Sequence, residues 1–275
     1  PGVLLNDDPR VHLVNLKSLP RVEDEVDRCI ECGFCESKCP SRDLTLTPRQ
    51  RIVIRRELAR RTAAGDTAGV EALQEGLDYA MQDTCATDGM CATACPVGID
   101  TGTLVKRLRA EGHGAVARAA ARLSASAFTG VEALARAALR LPSPFRDLPG
   151  PAVTLPDTGP REGAAAVYFP SCVTRVLGGG TRPLAQTIVD VASRAGLRLF
   201  IPRDVAGTCC GMPFSSKGFE EAYAIAANRA SGRAWLWSDA GRLPVVVDTS
   251  PCAFSLATCR DALTEANRER FDALR

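Results

Sequence analysis

The chain has 275 residues, 45% of them apolar and 24% charged, with a formal net charge of +2 and twelve cysteines. Such a balance excludes a disordered or fibrous chain, and it excludes a surface dominated by one sign of charge that would draw in nucleic acid. No apolar run approaches the roughly 20 residues that span a bilayer, and no charged-then-apolar leader opens the sequence.

The length suggests two domains, and because residue 1 is Pro, a piece of a longer protein is expected. The cysteines crowd into short-spaced groups, which points to metal binding in a reducing compartment rather than to a disulfide scaffold. The expected location is cytoplasmic, or peripheral on the cytosolic face of a membrane.

Residues 1–28 show no clear periodicity and read as a lead-in. Residues 29–141 open on CIECGFCESKCP, which sets Cys29, Cys32, Cys35 and Cys39 at the spacing C-x2-C-x2-C-x3-C-P. Two-residue gaps let a curling loop aim three thiolates at one face of a cubane, while the fourth Cys leaves along the chain for a second cluster. Structural zinc would favour two separated pairs. Pro40 then redirects the backbone. The stretch TPRQRIVIRRELARR predicts a helix, with Pro48 near its start and Ile54 and Leu58 one turn apart. Its Arg55, Arg56, Arg60 and Arg61 read as a solvated face.

Residues 84–98, TCATDGMCATACPVG, repeat the first group in register: Cys85, Cys91 and Cys95 precede Pro96, and Asp88 stands where another Cys would be expected. Crosswise ligation then divides the donors. One cluster takes Cys29, Cys32, Cys35 and Cys95; the other takes Cys39, Cys85 and Cys91, with Asp88 facing the remaining iron. A carboxylate is a harder ligand than a thiolate, so the second cluster is expected as 4Fe-4S with a labile corner, or as 3Fe-4S. The competing role for Asp88 is a turn with Gly89. The stretches TGTLVKRLRAEG and VEALARAALRL predict helices, and the Pro- and Gly-rich residues 142–163 read as an interdomain linker.

Residues 164–275 change rhythm. AAAVYFPSC, LRLFIP and LPVVVDTSPC read as strands; RPLAQTIVDVASRAG, EEAYAIAANRASGRAWLWSDAG and AFSLATCRDALTEANRERF read as helices. That alternation predicts an α/β unit with a mostly parallel sheet. The expected fold class is therefore α+β overall: a helical two-cluster ferredoxin domain followed by an α/β cysteine-rich domain. Cys172, the pair Cys209 and Cys210, and Cys252 each follow a predicted strand, the end at which parallel sheets gather ligands. Gly178, Gly179 and Gly180 form no phosphate-loop pattern. His12 and His113 sit in no ligand-like spacing, and Lys217 is placed to steer an anion.

The vicinal Cys-Cys-Gly of TCCGMPFSSKG, with YFPSC before it and DTSPC after it, resembles the cysteine-rich CCG domain of heterodisulfide reductases and glycolate oxidase iron–sulfur subunits. The helical insert between the first two cysteine groups resembles the ferredoxin domain of respiratory dehydrogenase subunits. The CCG resemblance implies Cys172, Cys209, Cys210 and Cys252 as ligands of a third iron–sulfur cluster. The fuller family pattern has one more Cys, three positions after the last; here that position is Ser255, which weighs against a catalytic two-cubane site.

Taken in order, CIECGFCESKCPSRDLTLTPRQRI, CATDGMCATACPVGIDTG and TCCGMPFSSKGF look like the C-terminal portion of FAD-linked D-2-hydroxyacid dehydrogenases of the D-lactate or D-2-hydroxyglutarate type. The opening PGVLLN is similar to the end of their flavin-domain cap. This resemblance covers nearly the whole chain. It implies part of an oxidoreductase that passes electrons from FAD, in an upstream domain or flavoprotein subunit, to a quinone, cytochrome or electron-transfer protein. The alternatives are a separate iron–sulfur subunit of a glycolate-oxidase-like complex, or a thiol–disulfide catalyst at the CCG site.

Overall fold

The computed structural model describes residues 22–141, 149–179 and 182–274. The lead-in through residue 21, with PGVLLN and His12, lies outside the described residues, as do residues 142–148 and Gly180. Internal contacts divide the chain into two units, Pro1–Leu108 and Arg109–Arg275. No helix among the described residues is long and apolar enough to cross a membrane.

The first unit is helical. It holds α1 (Asp24–Asp27), α2 (Pro48–Ala63), α3 (Thr67–Gln74), α4 (Met90–Ala94) and the start of α5 (Thr101–Glu111), with a π-helix at Asp78–Asp83. The predicted helix α2 begins where its sequence says it should. Thr47 and Gln50 form a reciprocal capping box and Pro48 occupies the first turn, where its missing N–H costs nothing. Val26, Ile52, Met81, Ile99 and Leu104 form the core of this unit.

Of the arginines expected on a solvated face of α2, Arg60 is exposed, whereas Arg55 and Arg56 are partly buried in ion pairs. Arg55 pairs with Glu23, and Arg56 pairs with Glu31 while donating 2.7 Å hydrogen bonds to the carbonyls of Val26 and Cys29. The guanidinium of Arg56 thereby ties α2 to the start of the first cysteine loop. Arg60 and Arg61 both pair with Glu57 and hold its carboxyl down to about 2.

The second unit contains α6 (Ala115–Ser126), α7 (Phe128–Ala138), β1 (Ala166–Phe169), α8 (Cys172–Val176), α9 (Leu184–Arg194), β2 (Leu199–Phe200), α10 (Met212–Ser216), α11 (Glu220–Trp237), β3 (Val245–Val247), α12 (Ser250–Thr258) and α13 (Glu265–Ala273). The three predicted strands form one parallel sheet in the order β2-β1-β3. Central β1 is buried throughout, which is why AVYF carries no polar alternation.

Two expectations are corrected here. Residues 115–138, expected to belong with the ferredoxin part, pack in the second unit. Ala121, Ala125 and Phe128 share a core with Ala222 and Ala226 of α11, and Arg229 donates to the carbonyls of Ala125 and Ser126. Residues 149–163 of the expected linker are also fixed there. Pro151 bridges Leu177, and Arg198 binds the carbonyls of Thr158 and Pro160.

The single helix expected from AFSLATCRDALTEANRERF is broken between α12 and α13. Asn228 accepts from both the backbone N–H and the hydroxyl of Thr264, holding that residue extended, while Leu263 is buried beside it.

Candidate metal centres

The two cysteine loops of the first unit repeat in backbone conformation as well as in sequence. Glu31 and Thr87, each two residues after its loop's first Cys, adopt φ of 58° and 52°. Gly33 and Gly89, two residues further, adopt 82° and 72°. A non-glycine residue at positive φ is uncommon, and two at matching positions mark one tight curl used twice. Within that curl Asp88 occupies the place of Cys32.

The curls bring the donors together crosswise. Cys29, Cys32, Cys35 and Cys95 line one recess that is partly open to solvent. Cys39, Cys85, Asp88 and Cys91 line a second, also partly open. Each cavity therefore receives three positions from one loop and the last Cys of the other. Among the described residues no three His, Cys, Asp or Glu side chains converge on a single metal ion. The donors line two recesses of the kind a multi-iron cluster would fill.

The environments of the two cavities differ. At the first, Cys32 is exposed, and so are the neighbouring side chains of Ile30 and Phe34. The backbone N–H of Glu31 lies 3.4 Å from Cys29 Sγ, and burial pushes the Cys35 thiol up. Arg49 borders this cavity but pairs with Glu36 at 2.7 Å.

At the second cavity Cys91 is buried, and its thiol is pushed up to about 11, by burial first and then by Asp100, whose Oδ1 lies 3.6 Å away. Asp88 Oδ1 accepts a 3.1 Å hydrogen bond from the Met90 N–H. The turn role expected of Asp88 is therefore filled, and the residue also borders the cavity.

Arg51 is the residue the sequence reading missed. It is 1% exposed, borders the second cavity, and directs Nη1 at Cys39 Sγ from 3.8 Å. The available signal was its position: Pro48, Arg51, Ile52 and Leu58 form the buried stripe of α2, so an arginine stands where an apolar residue would be expected.

In the second unit, Cys172 opens α8, Cys252 lies in the first turn of α12, and Cys209 and Cys210 sit between β2 and α10. All four follow a strand of the parallel sheet. Gly211 takes φ 89°, and a Cβ there would meet the Tyr223 ring at 2.6 Å, so the turn after the vicinal pair requires glycine. Cys210 and Cys252 place their sulfurs 3.2 Å apart. Contact with Cys209, and then with Cys252, holds Cys210 below the ordinary thiol range, while contact with Cys172 raises Cys209.

A buried ion pair braces this loop. Arg175 pairs with Glu132 and donates to the Thr208 carbonyl at 2.7 Å; Glu132 accepts from the Gly207 N–H at 3.0 Å. Ser255 donates its hydroxyl to the Cys210 carbonyl. His113 stacks on Phe219 with ring centroids 3.9 Å apart and places Nε2 2.7 Å from the Lys217 carbonyl, a packing role just beyond α5.

Residues 25–99 match the 4Fe-4S dicluster domain family. The first unit thus holds a 4Fe-4S dicluster domain. The match runs from α1 through both cysteine loops of this dicluster domain and ends before the second unit. Neither a curated protein nor a solved structure matches the chain. The donor set of the dicluster domain, seven thiols and a carboxylate around two cavities, fits two iron–sulfur clusters.

Proposed function

We propose that this chain is the electron-transfer part of an FAD-dependent D-2-hydroxyacid dehydrogenase acting on D-lactate or D-2-hydroxyglutarate. The observation that carries the reading is the crosswise pairing of the two loops, three donors from one and one from the other around each cavity. The specific flavin partner rests on the order of the three cysteine motifs along the sequence. Clusters bound at these donors would supply one-electron chemistry, which FAD needs after accepting a hydride.

Around those clusters the chain's own residues act as ligands and fix their positions. Cys29, Cys32, Cys35 and Cys95 hold the first. Cys39, Cys85 and Cys91 hold the second, with Asp88 at the remaining corner. The first site, with exposed Cys32, Ile30 and Phe34, offers the surface for electron exchange with a partner. In the second unit Cys172, Cys209, Cys210 and Cys252 hold a third cluster. Hydroxyacid oxidation itself belongs to the flavin domain, and the acceptor is a quinone, cytochrome or electron-transfer protein on the cytosolic side.

The test uses the parent protein and this chain side by side under anaerobic conditions. The parent should reduce a dye with D-lactate or D-2-hydroxyglutarate, whereas this chain alone should not, although its clusters should be reduced by substrate-reduced parent. Tightly bound flavin in the isolated chain would overturn the division of labour.

A further inference from the structure

We infer that Arg51 is the fixed counter-charge of the second cluster and raises that cluster's reduction potential selectively; this rests on the reading that a cluster occupies the second cavity. A buried guanidinium is costly unless its hydrogen bonds and its charge are both answered. The hydrogen bonds are answered in full view. Nε donates to the Met81 carbonyl at 3.0 Å, and Nη2 donates to the Ala80 carbonyl at 3.3 Å and to Thr84 Oγ1 at 3.2 Å. Ala80 and Met81 belong to the π-helix Asp78–Asp83, whose closing turn leaves carbonyls without partners inside the helix. Arg51 fills that need at Met81 and shares the Ala80 carbonyl with the Thr84 hydroxyl, and the π-helix in turn fixes the guanidinium plane.

The charge is not answered by those partners. They are carbonyls and a hydroxyl, and the fourth contact is Cys39 Sγ. The first cavity shows the contrast, because Arg49 beside it is paired with Glu36. Asp88 borders the second cavity and Asp100 lies behind Cys91, but neither hydrogen-bonds Arg51. A cluster held by thiolates carries net negative charge and gains one more on reduction. The guanidinium is always protonated; it therefore favours the reduced state with no proton taken up or released. Each reduction adds one electron from the reductant to the cluster and changes nothing at Arg51.

The experiment is an anaerobic redox titration of the reconstituted full chain with dithionite, followed by electron paramagnetic resonance. The second centre is identified as the one abolished by Cys85→Ser. Arg51→Gln should make its reduction at least tenfold less favourable, a shift of 59 mV for one electron, and leave the first centre in place. Thr84→Asp, which sets a carboxylate beside the intact guanidinium, should shift the second centre the same way. Arg51→Lys should stay within threefold of wild type.

The inference is overturned if Arg51→Gln or Thr84→Asp loads its cluster with an unchanged potential, or if the first centre moves as far as the second. Should Arg51→Gln and Thr84→Asp both fail to load, loading of Arg51→Lys supports the counter-charge, and its failure overturns it in favour of a hydrogen-bonding scaffold. Wild-type protein without a second cluster signal would instead overturn the proposed function.

Discussion

Ser255 Oγ donates a 2.8 Å hydrogen bond to the carbonyl oxygen of Cys210, and both residues are buried. The position where the resembling family carries one more cysteine is thus used here to pin the backbone of the vicinal pair. A thiol is a much weaker donor than a hydroxyl. Ser255→Cys should therefore leave the iron content unchanged, measured against wild type after identical reconstitution. Ser255→Ala should cost about 1–3 kcal/mol of stability, read from urea unfolding of the second unit.

Breaking the Arg175–Glu132 pair should be more damaging. Both side chains are buried, and each also holds backbone of residues 207–208 next to Cys209. Glu132→Ala leaves an uncompensated guanidinium in the interior, a loss of about 3–5 kcal/mol. Urea unfolding should show it in the second unit, while the iron bound by the first unit stays at the wild-type level.

Anaerobically reconstituted protein should be brown and hold about eight iron atoms in the first unit alone. Cys32→Ser should remove the cluster of the first cavity and spare that of the second, since Cys32 borders only one of them. Iron analysis with electron paramagnetic resonance reads both results. Unchanged iron in Cys32→Ser would contradict the crosswise division, and stoichiometric zinc without acid-labile sulfide would contradict the cluster reading.

Asp88 borders the second cavity while its Oδ1 accepts the Met90 N–H, so its part in holding iron is open to test. On mild oxidation the wild-type second cluster should lose one iron and show a three-iron signal that ferrous iron and reductant abolish. Asp88→Cys should resist the loss, because a thiolate holds this iron more firmly than a carboxylate. Asp88→Ala should remain in the three-iron form. Equal iron loss from all three proteins would reduce Asp88 to a turn residue.

The sequence by itself determined the local features: the capped start of α2, the three strands, and the cysteine spacings that announce iron–sulfur chemistry. Each depends on residues within a few positions of one another, where pattern and backbone preference act directly. It also set Asp88 in register with Cys32, because the repeat is visible in the letters. Only the tertiary structure decided what depends on contacts distant in sequence. Residues 115–138 join the second unit because Ala121, Ala125 and Phe128 find their apolar partners on α11, almost a hundred positions later. The break between α12 and α13 depends on Asn228, a residue of a different helix. Arg51 looked like one more arginine on a basic helix. Its burial follows from the π-helix and from Cys39, which reach it from two other segments and turn a surface residue type into an interior charge.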